Sequence, residues 1–363
     1  MSNFEYFCLC QELQSLVGSR LDKLYDMGDG EFRFRYRLPG KTEDLSVKLG
    51  ERIHITRYIR DAPKTPSNLA MFLRKRIEGL RLESIVQHDF DRVVVFRLSG
   101  ALSYSLIFEM FAEGNLLLLD SSGKILRCLR REEWKDRILR EGQEYKFPQS
   151  GRLSPPFSPD SLTQLLEPKS IISVLASKTN FGNDYLEEAC KRAGIEPKKN
   201  AKELEGKQAE ALAEKLNEIF GNPTPEIYLK EGKAFDYSLS RLSKYSGLES
   251  KSTSSFSEAV DECANVDNKA KAEVNEVSQK KKEKLALRLR KQTERCIEMQ
   301  KEAEELKKKG DEIYARYQEV EGILKAIEEM RKAKKGWAEI KKALEGKCEI
   351  DEHTGKIILL TQS

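Results

Sequence analysis

The sequence predicts an α+β protein: an antiparallel β domain at the N-terminus, a helical insertion after it, and a long coiled-coil arm. Three observations carry this expectation. Alternating or β-branched runs punctuated by glycine fill residues 20–120, helical spacing takes over at 161–220, and a heptad seam runs through the last third. A chain of 363 residues exceeds the roughly 250 at which single cores divide. Charged residues make up 34% of it, above the ~25% of an average globular domain, so surplus charge is expected on an elongated, solvated element. The net charge of +4 is the small difference between 64 basic and 60 acidic side chains. Where the charges sit therefore matters more than their sum.

The first element is an amphipathic helix over residues 4–17, because Phe4, Phe7, Leu9, Leu13, Leu16 and Val17 follow helical spacing up to Gly18. Hairpin strands follow at Arg20 to Asp26, Glu31 to Leu38 and Leu45 to Ile55, divided by Gly28, Gly30, Pro39-Gly40 and Gly50. After Ser67 a helix presents Leu69, Phe72, Leu73 and Ile77 on one face, with Arg74, Lys75 and Arg76 as a basic patch beside it. Arg92 to Leu98, Leu102 to Phe108 and Asn115 to Asp120 read as an antiparallel meander. Proline and serine at 148–160 make a linker.

Helical spacing then begins with Leu162, Leu165 and Leu166, continues from Tyr185 to Ala193 closed by Gly194, and ends with Leu204 to Ile219 closed by Gly221. Gly182 and Gly194 bracket the middle helix in the manner of a helix-hairpin-helix, whose backbone N–H groups can meet phosphate. Plain three-helix packing is the alternative. Strand signals return at Glu226 to Leu229 and Ala234 to Leu239, and the first sheet is expected to resume there. The expected divisions are 1–160, a helical module at 161–222, a return of the first domain at 223–265, the arm at 266–345 and a terminal strand segment at 346–363.

In the arm, Leu285, Leu289, Gln292, Cys296, Met299, Ala303, Leu306, Gly310, Ile313, Tyr317, Val320, Leu324 and Ile327 alternate spacings of four and three. A helix over 268–332 would be on the order of 100 Å long at 1.5 Å per residue, and it is expected to project and to need a partner helix. Lys280, Lys281, Lys282, Lys284, Arg288, Arg290 and Lys291 crowd its start. Such a cluster can displace counterions from a phosphate backbone, although Glu283 and Glu294 also fit an ordinary solvated coil face. Trp337, Ile340 and Leu344 suggest a short helix, and Lys356 to Thr361 a final strand.

Seven scattered cysteines give neither a disulfide framework nor a metal knuckle. His54, His88 and His353 lack ligand spacing. There is no GxxxxGK[ST], GxGxxG or GxSxG motif, so no cofactor, metal or catalytic residue is expected. The start MSNFEYFCLCQELQ is no secretion signal, and no stretch approaches ~20 apolar residues. The expected location is the cytoplasm. Asp91-Arg92 enters the best strand signal and Glu109 closes the next. Taken alone, such pairs are turns with surface ion pairs worth ~0–1 kcal/mol.

In order and spacing, the runs TPSNLAMFLRKRIEG, FDRVVVFRL, FEMFAEGNLLLLD, GQEYKFP, AGI at 193–195 and GWAEI at 336–340 resemble the NFACT family. That family of ribosome-associated quality-control factors includes fibronectin-binding-protein-A-like, nuclear-export-mediator-factor and RqcH-like proteins. The resemblance implies an N-terminal domain like that of formamidopyrimidine DNA glycosylases, without the glycosylase's N-terminal proline, since the chain starts Met1-Ser2-Asn3. It also implies binding of a large ribosomal subunit that holds peptidyl-tRNA, and of an aminoacyl-tRNA, often alanyl, for template-free tailing in which the ribosome makes the bond. Asp91 and Arg92 match the family's Asp-Arg pair for tRNA engagement, and Glu109 a functional acid. Glu5 stands where relatives commonly have aspartate. Family members continue to an RNA-binding module and a returning helix, so the resemblance reads this chain as a fragment and its exposed seam as a site of homodimerisation. A nucleic-acid-processing protein on the glycosylase-like scaffold is the alternative.

Overall fold

The computed structural model describes residues 1–134, 136–149, 151–164, 167–351, 354 and 356–360, without the side chains of 267 and 270–283. Leu165, Leu166, His353 and Thr361 lie outside the described residues, as do the side chains of Lys280, Lys281 and Lys282. Helix α1 (Asn3–Glu12) starts from a capping box in which Ser2 receives the Glu5 N–H and Glu5 the Ser2 N–H. It is shorter than the spacing predicts, because Leu13–Leu16 tighten into a 3₁₀ turn before Gly18.

Strands β1 (Arg20–Gly28), β2 (Glu31–Leu38), β3 (Lys41–Lys48) and β4 (Arg52–Thr56) follow, and then helix α2 (Asn68–Ile77), capped by Ser67. The run from Leu45 to Ile55 is thus two strands turning at Gly50. Next come β5 (Arg81–Gln87), β6 (Val93–Ser99), β7 (Tyr104–Glu109), β8 (Asn115–Leu119) and β9 (Ile125–Cys128). Together these form one antiparallel nine-stranded sheet in the order β4-β3-β2-β1-β5-β6-β7-β8-β9. Leu102, expected in a strand, is exposed outside β7. Strand β5, which the sequence reading lacks, joins the two meanders; an irregularity between Leu82 and Ser84 spoils its alternation.

The sheet bends over its own core. Phe34 on β2 meets Phe108 on β7 edge-on at 5.6 Å, and the turn at Gly50 packs on the turn at Gly114. A Cβ on Gly50 would lie 2.4 Å from the Ala112 carbonyl oxygen, and one on Gly114 2.5 Å from the Gly50 nitrogen. Both glycines also have positive φ.

A small hairpin, β10 (Glu132–Glu133) and β11 (Ile138–Leu139), precedes the helical module α3 (Pro159–Thr163), α4 (Ile171–Thr179), α5 (Asn183–Arg192) and α6 (Gly206–Gly221). The module shares one core with α1, where Phe4 stacks on Phe181 at 4.7 Å and meets Tyr185 and Phe220. Gly182 is packed against Ser2, so the start of α5 faces protein. Strands β12 (Glu226–Lys230), β13 (Lys233–Ser238) and β14 (Glu249–Ser252) form a separate sheet. The first sheet therefore does not resume after the module, because β12 pairs with β13 and β14 instead.

Helix α7 (Phe256–Ala315) runs 60 residues, about 90 Å at 1.5 Å per residue. Its first two amides donate to Glu12, Phe256 to Oε1 at 2.5 Å and Ser257 to Oε2 at 2.8 Å. The chain divides into two compact units, Met1–Ala272 and Glu273–Ser363. In the second unit Arg316 interrupts the helix that the heptads predict as continuous, and α8 (Tyr317–Lys332), α9 (Trp337–Ala343), β15 (Cys348–Ile350) and β16 (Ile357–Leu359) follow. Ile323 and Ile327 pack with Ile340, Leu344, Cys348 and Ile350, whereas Leu324 is exposed. The seam thus keeps Ile327 but takes Ile323 in place of Leu324 where α8 acquires its own small core. Upstream, Leu285, Leu289, Met299, Leu306 and Ile313 are exposed.

Candidate functional site

The turn before β6 is left-handed at Asp89 and Phe90, with φ of 43° and 51°. It closes when the Asp91 N–H donates to the His88 carbonyl at 2.8 Å. Asp91 is only 7% exposed, and its Oδ1 accepts from the Arg92 N–H at 2.8 Å and from Arg152 Nη1 at 3.3 Å. The Arg92 carbonyl receives the Met110 N–H at 2.7 Å, tying the corner to the end of β7. Arg92 Nε is buried without a partner among the described residues. Burial holds the Tyr6 phenol well above its ordinary value; Glu5 adds to this and Arg92 opposes it. Glu5 and Arg92 therefore act on one hydroxyl from α1 and from the corner.

Glu109 is 1% exposed and fully engaged. Arg137 grips both its oxygens, and the Tyr145 hydroxyl donates to Oε1 at 2.8 Å. Burial works against the Arg137 charge, but hydrogen bonding and attraction from Glu109 outweigh it and raise its pKa. Burial and then the Glu109 charge raise the Tyr145 phenol. Tyr145 meets Phe147 edge-on at 5.0 Å, and Phe147 stacks on His88 at 3.6 Å. Glu109 is thus linked by aromatic contacts to the turn that carries Asp91.

Glu5 faces inward as well. Its Oε2 completes the capping box and its Oε1 accepts from Tyr185 at 2.9 Å. The Tyr185 hydroxyl in turn receives the Leu239 N–H at 3.0 Å.

The α2 patch is partly committed to packing. Arg74 Nε donates to the Leu24 carbonyl at 2.8 Å, the Arg76 guanidinium lies 3.5 Å from the centre of the Phe72 ring, and Lys75 is exposed. On α7, Lys284, Arg288 and Arg290 are exposed, with Arg290 paired to Glu294 at 3.1 Å. Among the described residues, no group of His, Cys, Asp and Glu could hold a metal ion, and no helix is long and apolar enough to cross a membrane.

Sequence reasoning missed Arg152, Arg137 and the pair Tyr145 and Phe147. The last two lie in GQEYKFP, a run noted for its resemblance but given no role. Arg152 lies in the proline-rich linker, where spacing carries no signal.

Residues 4–353 match the family model described as NFACT N-terminal and middle domains. The archaeal Rqc2 homolog aRqcH of Methanocaldococcus jannaschii is 34% identical over 396 aligned residues, covering 100% of this chain and 58% of the relative. Ribosome quality control complex subunit 2 of Saccharomyces cerevisiae is 33% identical over 133 residues, 36% of this chain and 13% of its own length. The fold also matches the fibrinogen binding protein from Staphylococcus aureus at a TM-score of 0.59 and 18% identity, over 72% of this chain and 97% of that one. With a family match spanning nearly the whole sequence, and an archaeal relative whose alignment takes in all of this chain, the chain belongs to the NFACT family.

Proposed function

We propose that the protein is a ribosome-associated quality-control factor that binds the large ribosomal subunit carrying peptidyl-tRNA and engages an aminoacyl-tRNA through the Asp91–Arg92 corner. In this reading it acts in the cytoplasm as a binding partner, and the ribosome forms the bonds that tail the stalled chain. A relative named ribosome quality control complex subunit 2, and an archaeal one named as an Rqc2 homolog, support the general role. The observation that carries the tRNA part is the corner itself, where a buried carboxylate fixes the backbone N–H of Arg92 while Arg92 Nε has no partner among the described residues. The guanidinium that this arginine carries can make bidentate contacts to phosphate or a base edge. The exposed bases Lys75, Lys284, Arg288 and Arg290 add sequence-independent attraction to RNA, and the exposed seam of α7 fits a second copy of the chain.

Because Asp91 also holds the turn, Arg92→Ala is the cleaner test. tRNA recovered with the affinity-purified variant is expected to fall about tenfold, the loss of one charge-assisted contact, at an unchanged melting temperature. Full tRNA recovery with a folded Arg92→Ala protein would remove the corner from the reading.

A further inference from the structure

The register of the large sheet sets arginines directly opposite one another. Arg20 on β1 pairs with Arg37 on β2 and with Arg81 on β5, forming one row across three adjacent strands. Their neighbours Leu21, Tyr36 and Leu82 are core residues, so alternation sends all three arginine side chains to the outer face, where they are exposed. Beside this row Lys23 stands opposite Arg35. Like charges directly opposite in an antiparallel pair are destabilising. Cross-strand pairing therefore gives no reason for setting the three side by side.

Counter-charge on this face is thin. Asp22 accepts from Arg37 and Asp44 lies 3.2 Å from Arg35, and Glu83 is exposed at the irregularity of β5. Arg20 donates to the Gly79 carbonyl at 3.0 Å. Lys23 and Arg81 make no side-chain hydrogen bond or ion pair among the described residues.

We propose that this row binds the phosphodiester backbone of an RNA strand, a surface separate from the Asp91–Arg92 corner. Adjacent strands lie ~4.8 Å apart, so Arg37 and Arg81 are about 10 Å from each other at the backbone. That span matches about three stacked nucleotides at ~3.4 Å each. Planar guanidinium groups suit phosphate oxygens bidentately. The row lies at the end of the β5–β6 hairpin where Arg81 meets Ser99, and the corner lies at the other end, about 20 Å away along the strands. An RNA gripped at the row would be held without regard to sequence while the corner contacts it elsewhere. The inference rests on the RNA-binding reading above.

The test is fluorescence anisotropy of a labelled 20-nucleotide oligouridylate against the full chain, compared with Arg20→Gln/Arg81→Gln, Arg20→Glu/Arg81→Glu and the exposed control Lys207→Glu. Charge reversal is expected to weaken binding at least tenfold and to reduce the slope of log affinity against log salt by about 1.4, roughly 0.7 for each of two phosphate contacts to a single strand. The control should stay within twofold. The glutamine variant should melt at the same or a higher temperature, because it relieves repulsion; a lower one would make the row structural and overturn the proposal. Unchanged affinity and slope in the charge-reversed protein would overturn the row and leave the RNA reading standing, whereas a wild-type protein that binds no RNA would overturn both. Loss of binding to phosphatidylserine vesicles in the variants, with RNA affinity unchanged, would assign the row to lipid and overturn it as well.

Discussion

Glu109 closes its strand with both oxygens already bound, so its route to the Asp91 corner runs through Tyr145 and Phe147. Removing it strands a buried guanidinium, and Glu109→Ala is expected to lower stability in urea by about 3–5 kcal/mol. The double variant Glu109→Gln/Arg137→Met should recover most of that loss; no recovery would mean that Glu109 acts through something other than Arg137. His54 is a second buried case, 1% exposed and 3.2 Å from Asp261. Burial, only partly opposed by Asp261, lowers its pKa below the ordinary 6.5. The unfolded chain therefore takes up a proton that the folded one refuses, and stability is expected to decline as pH falls below about 6.5, by up to ~1.4 kcal/mol per pH unit. His54→Gln should flatten that decline in melts between pH 7 and pH 5. A variant as pH-sensitive as the parent would assign the effect to other groups. Residue types were legible in the sequence at these positions, but their environments were not. Nothing local to FEMF says that Arg137 and Tyr145, 28 and 36 residues on, will close over the acid.

Elements were legible where periodicity was clean and failed where a backbone irregularity interrupted it. The helix at Asn68–Ile77 and the strands around Phe34 and Phe96 follow their patterns. Strand β5 does not, because its irregularity at Leu82/Ser84 shifts the alternation, and the β12–β14 strands give no sign of which sheet they join. The two turns that meet at Gly50 and Gly114 were read as punctuation, while their mutual contact depends on the bend of the whole sheet. Gly50→Ala places a methyl group 2.4 Å from a backbone oxygen, so it is expected to cost several kcal/mol or to prevent folding. Gly40→Ala has a similar φ of 75° and nothing within 4 Å, so it should cost only about 1–2 kcal/mol. Equal midpoints for the two in chemical denaturation would mean that the turns do not touch.

At the scale of the molecule, each unit has its own hydrophobic core, and the α7 seam upstream of Arg316 is largely solvent-facing where side chains are described. An apolar stripe with Leu289 at 66% exposure is unfavourable to hydrate at about 25 cal/mol per Å², and the chain is expected to self-associate through residues 280–330. Sedimentation at tens of micromolar, beside a version cut before Val266, checks this; a monomeric long chain would refute it. The heptads made the stripe and Ile327 legible in advance, whereas the switch from Leu324 to Ile323 was hidden because it answers to α9 and the terminal hairpin. The start of α7 carries a last consequence. Leading amides of a helix lack intrahelical acceptors and ordinarily exchange with solvent hydrogen quickly, but those of Phe256 and Ser257 are held by a carboxylate 244 and 245 residues earlier in the chain. Their deuterium uptake should therefore follow the opening of α1 rather than local fraying, making two amides of the long helix reporters on the other end of the first unit's chain.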